Sequence, residues 1–448
     1  MPRTLALKVL DRLDKDPGSP SEYLEQAIGR GRVPTPRDRA FAFNLIQGVQ
    51  RWKLRLDWII SGSVRFPFKQ IDPSILNVLR IALYQILFMD RVPDSAAVNE
   101  AVKEARKTGR RHVASFVNGI LRQICRQGAE VDLPDRDRDK ERFLSVSQSY
   151  PEWIVRKWIN ELGPDEAERL LEAGNLMPSL VIRTNRLKTD RQGLIKALKD
   201  EGLDAVPTGY SPDGLVLEGL RGSLAGLESF GRGLFQVQGE ASQLCAFLAS
   251  PGPGMRILDL CAGLGGKSTH LAQVINNRGM IVALDINRHR LLRLCDTSDR
   301  LGISCIRPVL ADASSGSYSP FRTPFDLIVV DAPCSGLGNV SRHPDLKWRK
   351  DAEGIRRLAR LQTDILNNAE SLLKSGGRMV YMTCTISREE NEDLIHGFLD
   401  RHKTMRLLDL NDHCTGRVQG LIDDRGFFRA LPHVHGMEGF FGALLMKN

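Results

Sequence analysis

The chain has 448 residues, 42% of them hydrophobic, with a formal charge of +9. That length calls for more than one domain and allows sizeable cores. No run approaches 18 apolar residues and no apolar segment follows Met1-Pro-Arg-Thr4, which excludes a transmembrane helix and a signal peptide, so a soluble, cytoplasmic protein is expected.

The excess charge is unevenly placed. Residues 1–130 hold 22 Lys and Arg against 13 Asp and Glu, while the remainder holds 41 of each. A basic N-terminal region is an electrostatic footprint for phosphates, or a solvated surface kept for solubility. The eight cysteines, at 125, 245, 261, 295, 305, 334, 384 and 414, form no C-x-x-C pair and have no clustered histidines beside them. A zinc site and a disulfide framework are therefore not expected, no metal is implied, and a reducing compartment is.

Residues 1 to about 128 read as helices. Asp72-Pro73 caps one, followed by Ile75, Leu76, Leu79, Leu83, Ile86 and Leu87 at 3–4 spacing. Arg39–Ile60, Ser95–Lys107 and Val113–Ile124 show the same period. Arg37, Arg39, Arg51, Lys53 and Arg55 flank one pattern, and Lys103, Arg106, Lys107, Arg110 and Arg111 crowd another. A basic bundle without its own catalytic constellation suggests a binding module. The charged, aperiodic stretch 130–144 reads as a linker.

Residues 145–235 read as a small α+β unit, with helices at Pro151–Leu162, Pro164–Ala173 and Asp190–Glu201. Its strands are expected at Ser179–Thr184, 203–208 and 214–218. Arg183, Arg186, Lys188 and Arg191 surround the first strand and suit either phosphate or a solvated edge. From 236 to 448 strands and helices alternate. Strands are expected at Arg256–Leu260, Met280–Ile286, Ser304–Leu310, Asp326–Val330 and Arg378–Met382, with helices at Ser268–Ile275, Arg290–Leu301 and Glu389–Leu399. Met405–Leu408 and Phe440–Leu445 suit closing strands. The alternation implies an α/β, Rossmann-like, doubly wound and mostly parallel sheet.

The first strand of that sheet runs into Cys261, Ala262, Gly263, Leu264, Gly265, Gly266 and Lys267, then a helix. Such a loop lets a ligand approach the backbone beside a helix N-terminus. A dinucleotide fingerprint fails at Ser268 and a P-loop fails at Cys261, each standing where a glycine is required. A nucleoside cofactor such as S-adenosyl-L-methionine fits better. It needs a carboxylate for the ribose after the second strand, where Asp285 stands, and a polar group for the adenine after the third, where Asp312 stands. Asp331 and Cys334 follow the fourth strand, Leu327–Val330, and Cys384 follows a later one. Two thiols and an acid at strand ends form a candidate reaction centre.

With Asp259–Ser268, Asp331-Ala-Pro-Cys-Ser-Gly336, Arg342-His-Pro-Asp345, Thr383-Cys-Thr385 and Gly439-Phe-Phe441, the chain resembles the RNA (cytosine-5)-methyltransferases of the Sun/NOL/NOP family, closest to the bacterial type acting on 16S ribosomal RNA. Thr35–Trp52 resembles the NusB-like RNA-binding domain of that type, and Phe235–Gln243 resembles the segment leading into its catalytic domain. Two positions depart from the family. Its loop usually reads Cys-Ala-Ala-Pro-Gly-Gly-Lys-Thr where this chain has Cys-Ala-Gly-Leu-Gly-Gly-Lys-Ser, and Glu438 replaces its Asp before Gly-Phe-Phe.

The resemblance implies a NusB-like domain at 1–129, a linker at 130–144, an RNA-binding subdomain at 145–235 and a methyltransferase domain at 236–448. It implies a monomeric enzyme with ribosomal RNA as partner and transfer RNA as the competing substrate. Cys384 would attack cytosine C6, Cys334 would assist elimination, and Asp331 would lie near the base edge and the cofactor. A P-loop NTPase or a non-catalytic RNA-binding protein are the alternatives; neither accounts for both cysteines.

Overall fold

The computed structural model describes residues 1–16, 18–29, 34–127, 132–220, 222–316, 321, 323–414 and 416–448. The chain forms two compact units, Met1–Leu176 with Arg342–Arg349, and Met177–Ser341 with Lys350–Asn448. Residues 130 and 131 of the expected linker lie outside the described residues, and its end is not a linker: Asp139 caps a helix that starts at Lys140.

The first unit is helical: α1 Pro2–Leu13, α2 Pro20–Ile28, α3 Pro36–Ser63, α4 Pro73–Phe88, α5 Asp94–Arg106, α6 Arg111–Gln127, α7 Lys140–Ser147, α8 Glu152–Leu162 and α9 Pro164–Ala173. Proline in the first turn and a capping side chain start several of them; Ser19, Thr35 and Asp72 each accept a backbone N–H of the following turn. Helix α4 is buried on nearly every side, with Ile75, Leu79, Ala82 and Leu83 inside the core. Where α3 crosses it, a Cβ on Gly48 would meet the Tyr84 ring at 1.9 Å, so only glycine allows that approach. Helices α8 and α9 pack within this unit, while the strands that follow them lie in the second.

A segment from far along the chain completes the unit. Arg342–Arg349 carries the one-turn helix α15, Leu346–Arg349, and inserts Lys347, which is wholly buried. Its ammonium donates to the carbonyls of Arg51 (3.0 Å) and Ser149 (3.1 Å) and to Asn175 Oδ1 (2.8 Å), three acceptors for three donors. Trp348 Nε1 donates to the Gln50 carbonyl at 2.7 Å.

The second unit begins with a four-stranded antiparallel sheet ordered β2-β3-β1-β4. Its elements are β1 Leu180–Thr184, α10 Arg191–Asp200, β2 Asp204–Pro207, β3 Gly214–Glu218, the one-turn α11 Glu228–Gly231 and β4 Phe235–Val237. Ile182, Leu194, Leu198, Leu215 and Phe235 form its core.

The large sheet follows: α12 Glu240–Ala249, β5 Arg256–Asp259, α13 Gly266–Val274, β6 Met280–Asp285, α14 Arg288–Leu301, β7 Ile306–Leu310, β8 Phe325–Asp331, α16 Ala352–Leu372, β9 Leu373–Thr383, α17 Glu392–Arg401, β10 Met405–Leu408, α18 Leu410–His413, β11 Phe428–Ala430, α19 Pro432–His435 and β12 Phe440–Lys447. The strand order is β10-β12-β9-β8-β5-β6-β7, with β11 paired to β12. Strands β5 to β9 run parallel, while β12 lies antiparallel to β9 and β10 antiparallel to β12. Alternation sorts the core: Ile257, Leu327, Val329, Val380 and Met382 line one face, and Leu258, Ile328, Val330, Met379 and Tyr381 the other. After β5 the chain moves outward to β6 and β7, then returns to place β8 on the other side of β5. The ends of β5 and β8 flank that reversal, the crevice where ligands bind in such sheets. Among the described residues, no helix is long and apolar enough to cross a membrane.

Candidate active site

The glycine loop is built by local constraints. Gly263 and Gly265 have φ of +57° and +81°, a region that side-chain-bearing residues rarely adopt, and a Cβ on Gly265 would lie 2.6 Å from Leu294. Gly263 N–H donates to Asp285 Oδ2 at 2.8 Å, which ties the loop to the end of β6. Asp285 Oδ1 accepts from the Asn287 N–H at 2.7 Å, and Asp312 accepts from Ser314 N–H and Oγ. The acids converge. Burial first, then the charges of Asp259, Asp331, Asp285 and Asp312, push the Cys261 thiol well above its usual range.

Two further features fit a nucleoside bearing an ammonium group. Leu264, Ile286 and Leu310 are large apolar side chains more than half exposed, in the glycine loop and at the ends of β6 and β7. Asp259 is fully buried, its Oδ2 accepts from Ser268 Oγ at 2.5 Å, and its Oδ1 has no protein partner. Burial pushes the Asp259 carboxyl up to about 6, against the Ser268 hydrogen bond. S-adenosylmethionine offers what these groups lack: a base with apolar faces, two ribose hydroxyls and an ammonium.

Across the crevice, Lys267 Nζ donates to Asp331 Oδ2 at 2.5 Å and stands 5.1 Å from the Phe440 ring centroid. Burial works to lower the lysine, but the Asp331 carboxylate overrides it and raises the ammonium above its usual range. Lys267 is therefore held as a cation by a carboxylate.

The two thiols meet. Cys334 Sγ lies 3.4 Å from Cys384 Sγ, and both are half-buried. The hydrogen bond between them is the largest influence on each: it holds Cys384 below the usual thiol range and raises Cys334 well above it. Burial and Asp331 oppose the lowering of Cys384, while the Lys267 charge supports it. The contact thus favours the thiolate at Cys384 over the thiolate at Cys334. The closing glycine packs close by, since Gly439 N–H donates to the Gly338 carbonyl and Gly338 N–H to the Cys384 carbonyl.

Two buried groups near the thiols escape the sequence reading. Glu390 accepts from Ser335, the residue after Cys334, and Gln362 donates to the carbonyl of Pro333, the residue before it. Capping signals mark Glu390 only as a helix-start acid.

Arg183 is a correction. It faces no solvent. Its guanidinium is buried and donates to Gln238, to the Gly266 carbonyl (2.8 Å) and to Thr269 Oγ1 (3.1 Å), bracing the start of α13. Burial lowers it to about 9, against the pull of Asp213. Lys188 likewise donates to the carbonyls of Arg232 and Arg300, and Arg186 pairs with Asp213. In the helical unit, Arg51 is buried and Lys53 pairs with Asp14, whereas Arg106, Arg110 and Arg111 stay exposed.

Comparison with known proteins agrees over nearly the whole chain. A family model described as 16S rRNA methyltransferase RsmB/F matches residues 246–446, a NusB family model matches 1–126, and a ferredoxin-like domain model of RsmF/B-like methyltransferases matches 150–221. The probable ribosomal RNA small subunit methyltransferase B of Bacillus subtilis is 34% identical, covering 100% of this chain and 98% of its own. The ribosomal RNA small subunit methyltransferase B of Pseudomonas syringae is 33% identical, covering 100% and 97%. One solved crystal structure superposes with a TM-score of 0.81 at 28% identity, covering 100% of this chain and 99% of that one. NSun6 from Pyrococcus horikoshii, solved with SFG, gives a TM-score of 0.59 at 27% identity, covering 67% and 99%.

Proposed function

This chain belongs to the 16S rRNA methyltransferase RsmB/F family, S-adenosylmethionine-dependent RNA methyltransferases, and from that premise we propose that it methylates C5 of a cytosine in 16S ribosomal RNA through a covalent cysteine–C6 adduct. The observation that carries the reading is the thiol pair 3.4 Å apart, beside the Lys267–Asp331 ion pair.

Cytosine C5 is a poor nucleophile. The Cys384 thiolate adds to C6 and makes C5 carbanion-like, splitting one difficult step into two. Bound S-adenosylmethionine supplies an electrophilic methyl group on its sulfonium. After C5 is alkylated its proton passes to a base reached at or through Cys334, and the electrons of that C–H bond re-form the C5–C6 double bond and expel Cys384 as thiolate. Cys334, beside the departing sulfur, assists that elimination. Asp331 stabilises the charged base along its N3–N4 edge, and Lys267 fixes that carboxylate. Gly263, Gly265 and Gly266 would admit the cofactor, Asp285 would receive its ribose, Asp312 its adenine amine, and Asp259 Oδ1 its ammonium. A fit to this cofactor is supported by the neighbour solved with SFG, an analogue of S-adenosylmethionine.

The target base must be unstacked to reach Cys384. The basic helical unit and the small antiparallel sheet position the RNA, the former with Arg106, Arg110 and Arg111 available for phosphates. A ribosomal RNA substrate would be met in the cytoplasm.

The test is a denaturing gel of the Cys334→Ala protein incubated with unmodified 16S ribosomal RNA and S-adenosylmethionine. A slow protein–RNA band that vanishes when Cys384 is also changed is the expected result. No band, with cofactor binding intact, would overturn the ribosomal substrate or the covalent step; transfer RNA as probe separates the two.

A further inference from the structure

The residues that follow the two cysteines are both hydroxyls, and they touch. Ser335 Oγ lies 2.8 Å from Thr385 Oγ1, and both side chains are fully buried. Ser335 also donates its O–H to Glu390 Oε2, so the proton between the two hydroxyls belongs to Thr385. Thr385 Oγ1 in turn accepts the Ser387 N–H at 3.3 Å. A directed chain results, from Ser387 through Thr385 and Ser335 to Glu390. Each donor is polarised by the next, and the chain ends on a carboxylate.

Glu390 is the hub. It is fully buried, yet its carboxylate takes three donors: the Ser335 hydroxyl, the Ser335 N–H at 2.8 Å and Gln362 Nε2 at 3.0 Å. Gln362 Nε2 also donates to the Pro333 carbonyl at 2.9 Å, so Cys334 is held on both sides. Tyr381 donates to the Glu390 carbonyl at 2.6 Å and lies 3.2 Å from Gln362 Oε1. On the Cys384 side, Asn391 Nδ2 donates to the Thr385 carbonyl at 3.0 Å. Strands β8 and β9 are neighbours in register, Asp331 opposite Met382, so the cysteines stand on adjacent chains. Sheet register alone brings them near; the side-chain chain beneath them sets how near.

We propose that Glu390 is a positioning residue for methyl transfer: through Ser335 and Thr385 it holds the Cys334 and Cys384 thiols in contact. The inference rests on the two-thiol reading of the reaction. The other charges bearing on the thiols are Asp331 and Lys267, and Lys350 acts on Glu390. Asp331 and Lys267 belong to the crevice; Glu390 is the acid that bonds the residue beside Cys334. A glutamine there keeps the shape but turns one acceptor into a donor facing Ser335 or Gln362, which breaks the chain without emptying the site.

A trivalent arsenical, phenylarsine oxide, bridges two thiols only when they are in contact, and it needs neither RNA nor methylation. The native protein should capture it through Cys334 and Cys384, with capture lost in either Cys→Ala variant. Glu390→Gln should weaken capture and lower kcat, each by roughly tenfold or more, while S-adenosylmethionine affinity stays near native and the protein remains folded at the assay temperature. Ser335→Ala, which removes a single link of the chain, should do the same to a smaller degree and serves if Glu390→Gln folds poorly. Native capture in both variants would overturn the proposal. Capture lost with turnover intact would leave the clamp standing and overturn the two-thiol reading beneath it.

Discussion

Lys267 and Asp331 join the two sides of the crevice: a lysine from the glycine loop after β5 meets the last residue of β8 across 2.5 Å. Neither is in solvent to any great extent, with side-chain exposures of 12% and 30%. The pair links the loop read as a cofactor cradle to the strand end that leads to Cys334, and the lysine's charge also favours the Cys384 thiolate. A structural ion pair thus lies where the two halves of the chemistry meet.

Replacing Lys267 by glutamine should therefore act on Cys384. Without the cation the thiol holds its proton more tightly, so less thiolate is present at neutral pH. Alkylation of Cys384 by iodoacetamide, followed by mass spectrometry, should slow at pH 7 and converge with native at high pH. Methylation should fall by about 10²-fold. An alkylation profile identical to native would show that Lys267 does not activate the thiol.

Arg183 separates a bracing role from an RNA contact. Arg183→Met removes the donors to Gln238, Gly266 and Thr269 and should lower stability by about 3 kcal/mol, read by urea unfolding. The salt dependence of RNA binding should not change. A phosphate contact would instead reduce the slope of log K against log salt by about one.

Asp259 carries a pH signature. Its carboxyl is held at about 6 in the fold, against an unperturbed 3.8. Between those values the folded chain keeps a proton that the unfolded chain has lost, so this group's contribution to stability falls as pH rises through the window. The shift corresponds to about 3 kcal/mol at most. Cofactor-free native protein should lose stability relative to Asp259→Asn between pH 4 and pH 7, measured by denaturant unfolding at each pH. A difference that does not vary with pH would count against a buried, perturbed acid.

The strand ends were legible because they are written locally. An apolar run such as Leu327–Val330, closed by Asp331-Ala-Pro, or Arg256–Leu258 followed by the glycine loop, signals a strand and its end within ten residues. Asp285, Asp312, Asp331, Cys334 and Cys384 could be assigned to one edge of one sheet from such signals, and the alternation of elements supplied the parallel order. Helix α16 was not read, and its burial pattern explains why: Ile355, Ile365, Leu366, Ala369 and Leu372 face the core, but Gln362 sits among them at a buried position and breaks the apolar period.

What tertiary structure alone decided depends on partners distant in sequence. Gln362 faces inward because Glu390, 28 residues on, and Pro333, 29 residues back, need it. Arg183 reads as a surface cation until the Gly266 carbonyl, 83 residues away, accepts its hydrogen bond in the interior. Lys347 follows the Arg342–Asp345 stretch in sequence and is buried in the helical unit, where it bonds the Arg51 carbonyl, 296 residues away. Burying an ionised or polar side chain costs several kcal/mol unless acceptors or donors surround it, and only the fold brings those together. The residue types therefore determined the chemistry available to this chain and the strand ends where it would stand. That the two thiols touch, and that buried Ser335, Thr385 and Glu390 are hydrogen-bonded beside them, followed from packing across the sheet.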